Sequence, residues 1–164
     1  IPKESVTRWM KSGDMEVLGA LYAFLMDPKC SIRVVPALTL HDYVDFVTNY
    51  FGRCFREDPD GDWSHGRYAA AWDFASWFGA LWKDPKTDKE ELRSLKNWLG
   101  SVYREADDTL RHCIVTGALE HLLENREIAR FFSDWKKNIY LAEAYREAAE
   151  WSDKSNAKGS PPGN

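Results

Sequence analysis

The sequence lacks paired cysteines, a phosphate-cradling glycine loop, long apolar runs and an excess of positive charge. Its three cysteines, Cys30, Cys54 and Cys113, form neither a Cys-x-x-Cys pair nor an even set. Each sits among apolar neighbours, where cysteine behaves as a small hydrophobe. The set gives no sign of a disulfide framework, and a reduced, cytoplasmic setting is the expectation. No stretch approaches the roughly 18 to 20 apolar residues that cross a bilayer, so no membrane span is expected. No basic region followed by an apolar stretch marks the N-terminus as a leader, and a chain opening at Ile1 rather than Met is compatible with upstream trimming.

The formal net charge is -4 and the pI near 5.6. A phosphate backbone rewards clustered Lys and Arg, so nucleic acid is not an expected ligand, and a partner with a basic surface is. The glycines are scattered, without a P-loop or dinucleotide fingerprint, which removes the main support for nucleotide chemistry. His41, His65 and His112 have no nucleophile signature beside them, and His41 has a structural partner in Asp45 one turn later. Asp107 and Asp108 follow Glu105, but no second acidic motif accompanies them, and carboxylates at a helix start account for the pair. No catalytic residue, cofactor or metal is expected.

What the chain does have is aromatic mass and helical period. It carries 8 Trp, 7 Tyr and 8 Phe in 164 residues, far above ordinary usage. Gly13-Asp14 reads as a stop and an N-cap, followed by Leu18, Leu21, Tyr22 and Leu25 until Asp27-Pro28, with a short helical turn before it around Val6 to Met10. Ile32, Val34 and Val35 show no helical period and form a connector. Thr39 and Asp42 resemble a capping box opening a helix with Leu40, Tyr43, Val44, Val47, Phe51 and Cys54 on one stripe.

From about Ser64 to Lys83, Tyr68, Trp72, Ala75, Gly79 and Trp82 mark one apolar face and Ala71, Phe74, Phe78 and Leu81 another, so this helix should be central. Thr87 with Glu90 suggests another capping box, leading into Leu92, Leu95, Leu99 and Val102. A helix over about Asp107 to Glu124 is apolar nearly all round, with Gly117 allowing close approach. Asn125 caps a helix bearing Ile128, Phe131, Phe132 and Trp135, and Asn138 separates it from a last one with Leu141, Ala144, Tyr145 and Ala148. The expectation is an all-α chain, a single compact bundle of about six to seven antiparallel helices with an aromatic-rich core. It spans residues 1–152, with 153–164 a flexible tail of Ser, Asn, Lys, Gly and Pro.

Two clusters invite chemistry. Asp58, Asp60 and Asp62 imitate the start of a calcium loop, but Trp63 stands where glycine is needed and Ala69 where a bidentate Glu should be. The segment Glu57, Asp58, Asp60, Asp62 reads instead as an acidic contact surface for a basic partner, with Trp63 as an aromatic anchor. Trp77, off both stripes of its helix, is a further candidate contact. Glu120, His121 and Glu124 resemble carboxylate and histidine ligands, yet a di-metal bundle needs Glu-x-x-His from two helices. A hydrogen-bonded core histidine on the face of Leu110, Ile114 and Gly117 is the simpler account of His121.

The segment from Gly117-Ala118-Leu119-Glu120-His121-Leu122-Leu123-Glu124 through Phe131-Phe132-Ser133-Asp134-Trp135 to Leu141-Ala142-Glu143-Ala144-Tyr145 resembles helical immunity proteins encoded beside the secreted toxins of bacterial polymorphic-toxin and type VI secretion systems. The likeness covers the last 60 or so residues, with a looser one over Tyr68 to Trp82. It implies a cytoplasmic protein that occludes a cognate toxin's active site or substrate surface, with no cofactor and no catalytic residue. Two other readings stay open: another helical interaction or regulatory module, and a metal-dependent enzyme using His121 with Glu120 or Glu124.

Overall fold

The computed structural model describes residues 1–57, 60–61 and 65–159. Every named element among them is helical, and the sole extended pairing is an isolated bridge between Pro2 and Val35. The chain is all-α, as its periodicity predicts. No described helix is long and apolar enough to cross a membrane. The residues divide into two compact units, Ile1–Ala70 and Ala71–Asn164.

In the first unit, α1 (Lys3–Met10), α2 (Met15–Met26) and α3 (Leu40–Glu57) bury Val6, Leu18, Tyr22, Val47, Tyr50, Phe51 and Phe55. The caps fall where the sequence places them. Asp14 accepts the Glu16 N–H at 2.8 Å. Thr39 and Asp42 cap reciprocally, the Thr39 N–H donating to Asp42 at 2.8 Å and the Asp42 N–H to Thr39 Oγ1 at 3.1 Å. The Lys3 ammonium sits 2.7 Å from the Asp42 carboxylate, and its hydrogen bond is the chief reason that carboxyl is held down at about 2. The connector is clipped to the start of α1, the Lys3 N–H donating to the Val35 carbonyl at 2.9 Å.

Aromatic rings fill this unit. Tyr22 packs on Tyr50 and Phe51 with centroids 5.1 and 5.3 Å apart, the offset and tilted geometry that ring quadrupoles favour. The buried Tyr50 hydroxyl lies 2.8 Å from His65 Nδ1, so His65 serves as a partner that lets a phenol enter the core. Gly61 adopts φ 78°, and a Cβ there would come within 2.7 Å of the Gly66 backbone, which makes glycine the fitting residue at this turn.

The second unit contains the larger part of α4 (Arg67–Lys83), then α5 (Lys89–Glu105), α6 (Asp108–Ile114), a π turn at Val115–Leu119, α7 (Glu120–Leu123), α8 (Arg126–Phe131), a 3-10 turn at Ser133–Lys137 and α9 (Ala142–Gly159). Phe78, Phe132 and Trp135 form a ring chain with spacings of 5.7 and 5.1 Å, joined by Phe74 and Trp98. Within it sits one charge, Lys96, only 6% exposed. Its ammonium donates to the Phe131 carbonyl at 2.9 Å and to Asp134 at 2.8 Å, and lies 4.6 Å above the Phe131 ring. Lys96 thereby ties α5 to the end of α8 and to the 3-10 turn.

Several details depart from the sequence reading. The cap of α5 is Asp88, which accepts the Glu90 N–H at 2.9 Å. Thr87 stays in the preceding turn, bonded to the Asp84 carbonyl, and Glu90 pairs forward with Arg93. On α4 the face of Ala71, Phe74 and Phe78 is buried, while Tyr68 and Trp72 of the other expected face are 52% and 46% exposed. Helix α9 continues to Gly159, past the composition change after Trp151. Lys158 in its last turn is a favourable charge at a helix C-terminus.

The π turn has the largest effect. It inserts about one extra residue into the helical repeat, rotating everything after it by roughly 100°. Leu122 then takes the inward position that straight α spacing assigns to His121, and Leu122 is buried. His121 is displaced from the core: its side chain is 33% exposed, 3.9 Å from Glu124, with its ring edge-on to Trp72 at 4.3 Å.

Candidate binding groove

Asn125 fixes the start of α8 by accepting the N–H groups of Glu127 and Ile128 at 2.9 and 3.2 Å. The Tyr145 hydroxyl donates to the Ala129 carbonyl at 3.0 Å, tying α9 to α8. Buried Ser152 donates to the Glu120 carbonyl at 2.7 Å, tying α9 to α7. These bonds hold open a groove of about 950 Å³ along α8, the 3-10 turn and α9. Its apolar surface comes from Leu123, Ala129, Ala142, Tyr145 and Ala149, and the three alanines among them leave room where larger residues would close it. Burial raises the Tyr145 phenol above its ordinary range, with nearby Asp153 adding to the effect, so its hydroxyl keeps its proton and its bond at neutral pH.

The rim is charged, and its sign is opposite to that of the chain. Arg126, Arg130, Lys136 and Arg146 line the groove against Glu150 and Asp153. Arg146 is partly neutralised by Glu150 at 3.2 Å and Glu143 at 3.8 Å. Lys136 lies 5.2 Å over the Tyr145 ring. Among the described residues, Arg126, Arg130 and Lys136 have no carboxylate pair. Arg126 and Arg130 are one turn apart on the same short helix, a like-charge arrangement that costs a few tenths of a kcal/mol. Folding gains nothing from it.

A smaller concavity of about 490 Å³ lies in the first unit, between α1 and α3, with Met10, Phe46, Asp45 and Arg53 on its walls. Apart from Lys11, its charged side chains have partners within the unit. Arg53 binds Glu57 at 2.7 Å and the Gly13 carbonyl at 2.8 Å, and Asp45 lies 3.4 Å from His41.

Of the residues singled out in the sequence, Glu57 and Asp60 are exposed, with Glu57 engaged by Arg53. Asp58, Asp62 and Trp63 lie outside the described residues. Trp77 is half-buried, so part of its ring faces outward. None of these residues lines the α8–α9 groove. The groove cations were missed because they are spread over twenty-odd positions of an acidic chain; the available signal was the Arg126, Arg130 pair at a one-turn interval beside Lys136 and Lys137.

Glu120, His121 and Glu124 do come near one another, but no group of three His, Cys, Asp or Glu side chains among the described residues could hold a metal ion. Glu120 Oε1 is buried without a hydrogen-bond partner. Desolvation raises its carboxyl above the ordinary value, against the lowering influence of His121 and His112. The π turn is what places this carboxylate inward.

No family model, curated protein or solved structure matches this chain.

Proposed function

We propose that this chain is a protein-binding module whose contact site is the α8–α9 groove. The observation that carries this reading is a roomy, apolar-floored groove bordered by four cations, of which Arg126, Arg130 and Lys136 make no carboxylate pair among the described residues. An interface of that kind combines a desolvated centre with a charged rim that steers association. The hydrogen bonds from Tyr145 and Ser152 support it further, since a pre-ordered surface loses little freedom on binding.

The resemblance of residues Gly117 to Tyr145 to bacterial immunity proteins gives the module its use: a cytoplasmic factor that neutralises a cognate toxin by covering its active site or substrate surface. The acidic segment, of which Glu57 and Asp60 are exposed, supplies a second contact for a toxin with a basic surface. The test is coexpression with the protein encoded by the adjacent gene in a sensitive host. Growth should be rescued, and the two proteins should copurify. Failure of both with every neighbouring gene product rejects toxin neutralisation.

A further inference from the structure

We propose that the α8–α9 groove receives an acidic, amphipathic segment of the partner protein, with carboxylates set against Arg126 and Arg130 and small apolar side chains against Ala129, Ala142 and Ala149. The proposal rests on the reading of this groove as a protein-binding site and adds the chemistry of what enters it.

Charge complementarity carries the argument. The chain is net negative, yet four of the six charged side chains lining this groove are cationic. Arg126, Arg130 and Lys136 are exposed and make no carboxylate pair among the described residues. Two guanidiniums one helical turn apart match carboxylates at the same interval on a facing helix, each guanidinium able to hold a carboxylate by two parallel N–H bonds.

The other features of the groove select a peptide over a nucleic acid. Glu150 and Asp153 stand in the same lining and repel a continuous phosphate backbone, whereas a peptide can present neutral or basic residues to them. The alanine and leucine floor offers a phosphate strand no partner, but buries an apolar side-chain face at about 25 cal/mol per Å². The groove also offers no ring for base stacking beyond Tyr145, which is itself buried.

The test titrates the full chain with a fluorescently labelled peptide of Glu, Ala and Leu about 16 residues long, near the length at which an isolated helix holds in water, with carboxylates spaced at i and i+4. A peptide with Lys for every Glu and a single-stranded oligonucleotide of equal charge run alongside. The Glu peptide should bind at least tenfold more tightly than either, more weakly as salt rises. The double variant Arg126→Glu with Arg130→Glu should lose at least tenfold, and Lys11→Glu, on the first unit, should lose nothing. Arg126→Gln with Arg130→Gln, a milder pair, repeats the measurement, and circular dichroism checks the folding of each. Preference for the Lys peptide or the oligonucleotide, or no loss in the folded arginine variants, overturns the proposal. If the Glu peptide fails to bind but Ala149→Trp blocks the toxin captured by coexpression, the acidic occupant is wrong and the groove stands. If Ala149→Trp leaves that capture intact, the groove itself is rejected.

Discussion

Two side chains in the second unit carry charge where water is scarce, and they differ in how it is met. Lys96 has a carbonyl, a carboxylate and a ring around its ammonium, and its burial is compensated. Replacing it by Ala leaves the Phe131 carbonyl without its donor and opens a void beside the rings. Lys96→Ala should therefore cost about 2–4 kcal/mol, read from urea unfolding, and Lys96→Met should cost less because the apolar stem remains. Glu120 is the opposite case, a carboxylate with one oxygen buried and unpartnered. Because its folded-state pKa is raised, the protonated form is favoured on folding. That stability is present below its ordinary value of 4.5 and lost as pH rises through the folded value. Glu120→Gln should thus unfold at higher denaturant than the parent at pH 7, with the gap closing below the ordinary carboxylate range. An equal gap at both pH values would remove the electrostatic explanation.

At the scale of elements, caps were readable and rotations were not. Asp14, the Thr39 and Asp42 pair and Asn125 all cap the helices the sequence assigns them, because a short polar side chain before an apolar stripe has one favourable use; Asp107, read only as a charge at a helix start, caps α6 as well. Thr87 and Asp88 are adjacent residues of capping type, and spacing alone does not choose between them. The π turn was invisible for a deeper reason: Leu110 to Leu123 is apolar on most sides, so shifting its register leaves the pattern nearly unchanged. His121 was misassigned in consequence, moved from an expected core face to a half-buried position; Trp72, on α4, was misassigned for a separate reason, because an aromatic face on a nearly all-apolar helix does not say which side is inward. If one inserted residue produces the turn, deleting Thr116, which is half-buried inside it, should restore plain α geometry while preserving the inward placement of Leu122. That deletion should cost less than ~3 kcal/mol and keep cooperative unfolding, because only changes that break the core exceed such values. Deleting Ser94 from the middle of α5 should abolish cooperative unfolding, since every later residue of that helix turns by about 100°.

For the molecule as a whole, periodicity disclosed helical class, composition an aromatic interior, and net charge led to the expectation of a partner with a basic surface. Net charge describes the sum, however, and the α8–α9 groove is a local reversal of it. Arg126, Arg130, Lys136 and Arg146 gather only because α8, the 3-10 turn and α9 fold back along one another. Ala149, half-buried on the groove floor, separates folding from binding. If the groove binds a toxin as proposed, Ala149→Trp should abolish copurification with that partner and rescue of growth while the thermal midpoint moves by no more than about 2–4 °C, the shift of a ~1 kcal/mol change in a chain of this size. A collapse of the midpoint would instead assign Ala149 to the core. Lys96, meanwhile, gives the protein a chemical clock of its own. Reagents that modify amines will mark the exposed lysines within moments and reach this one only when α5 and α8 part. The rate at which it acquires a label, followed by mass spectrometry, reports how often the interior breathes and how far a bound partner quiets it.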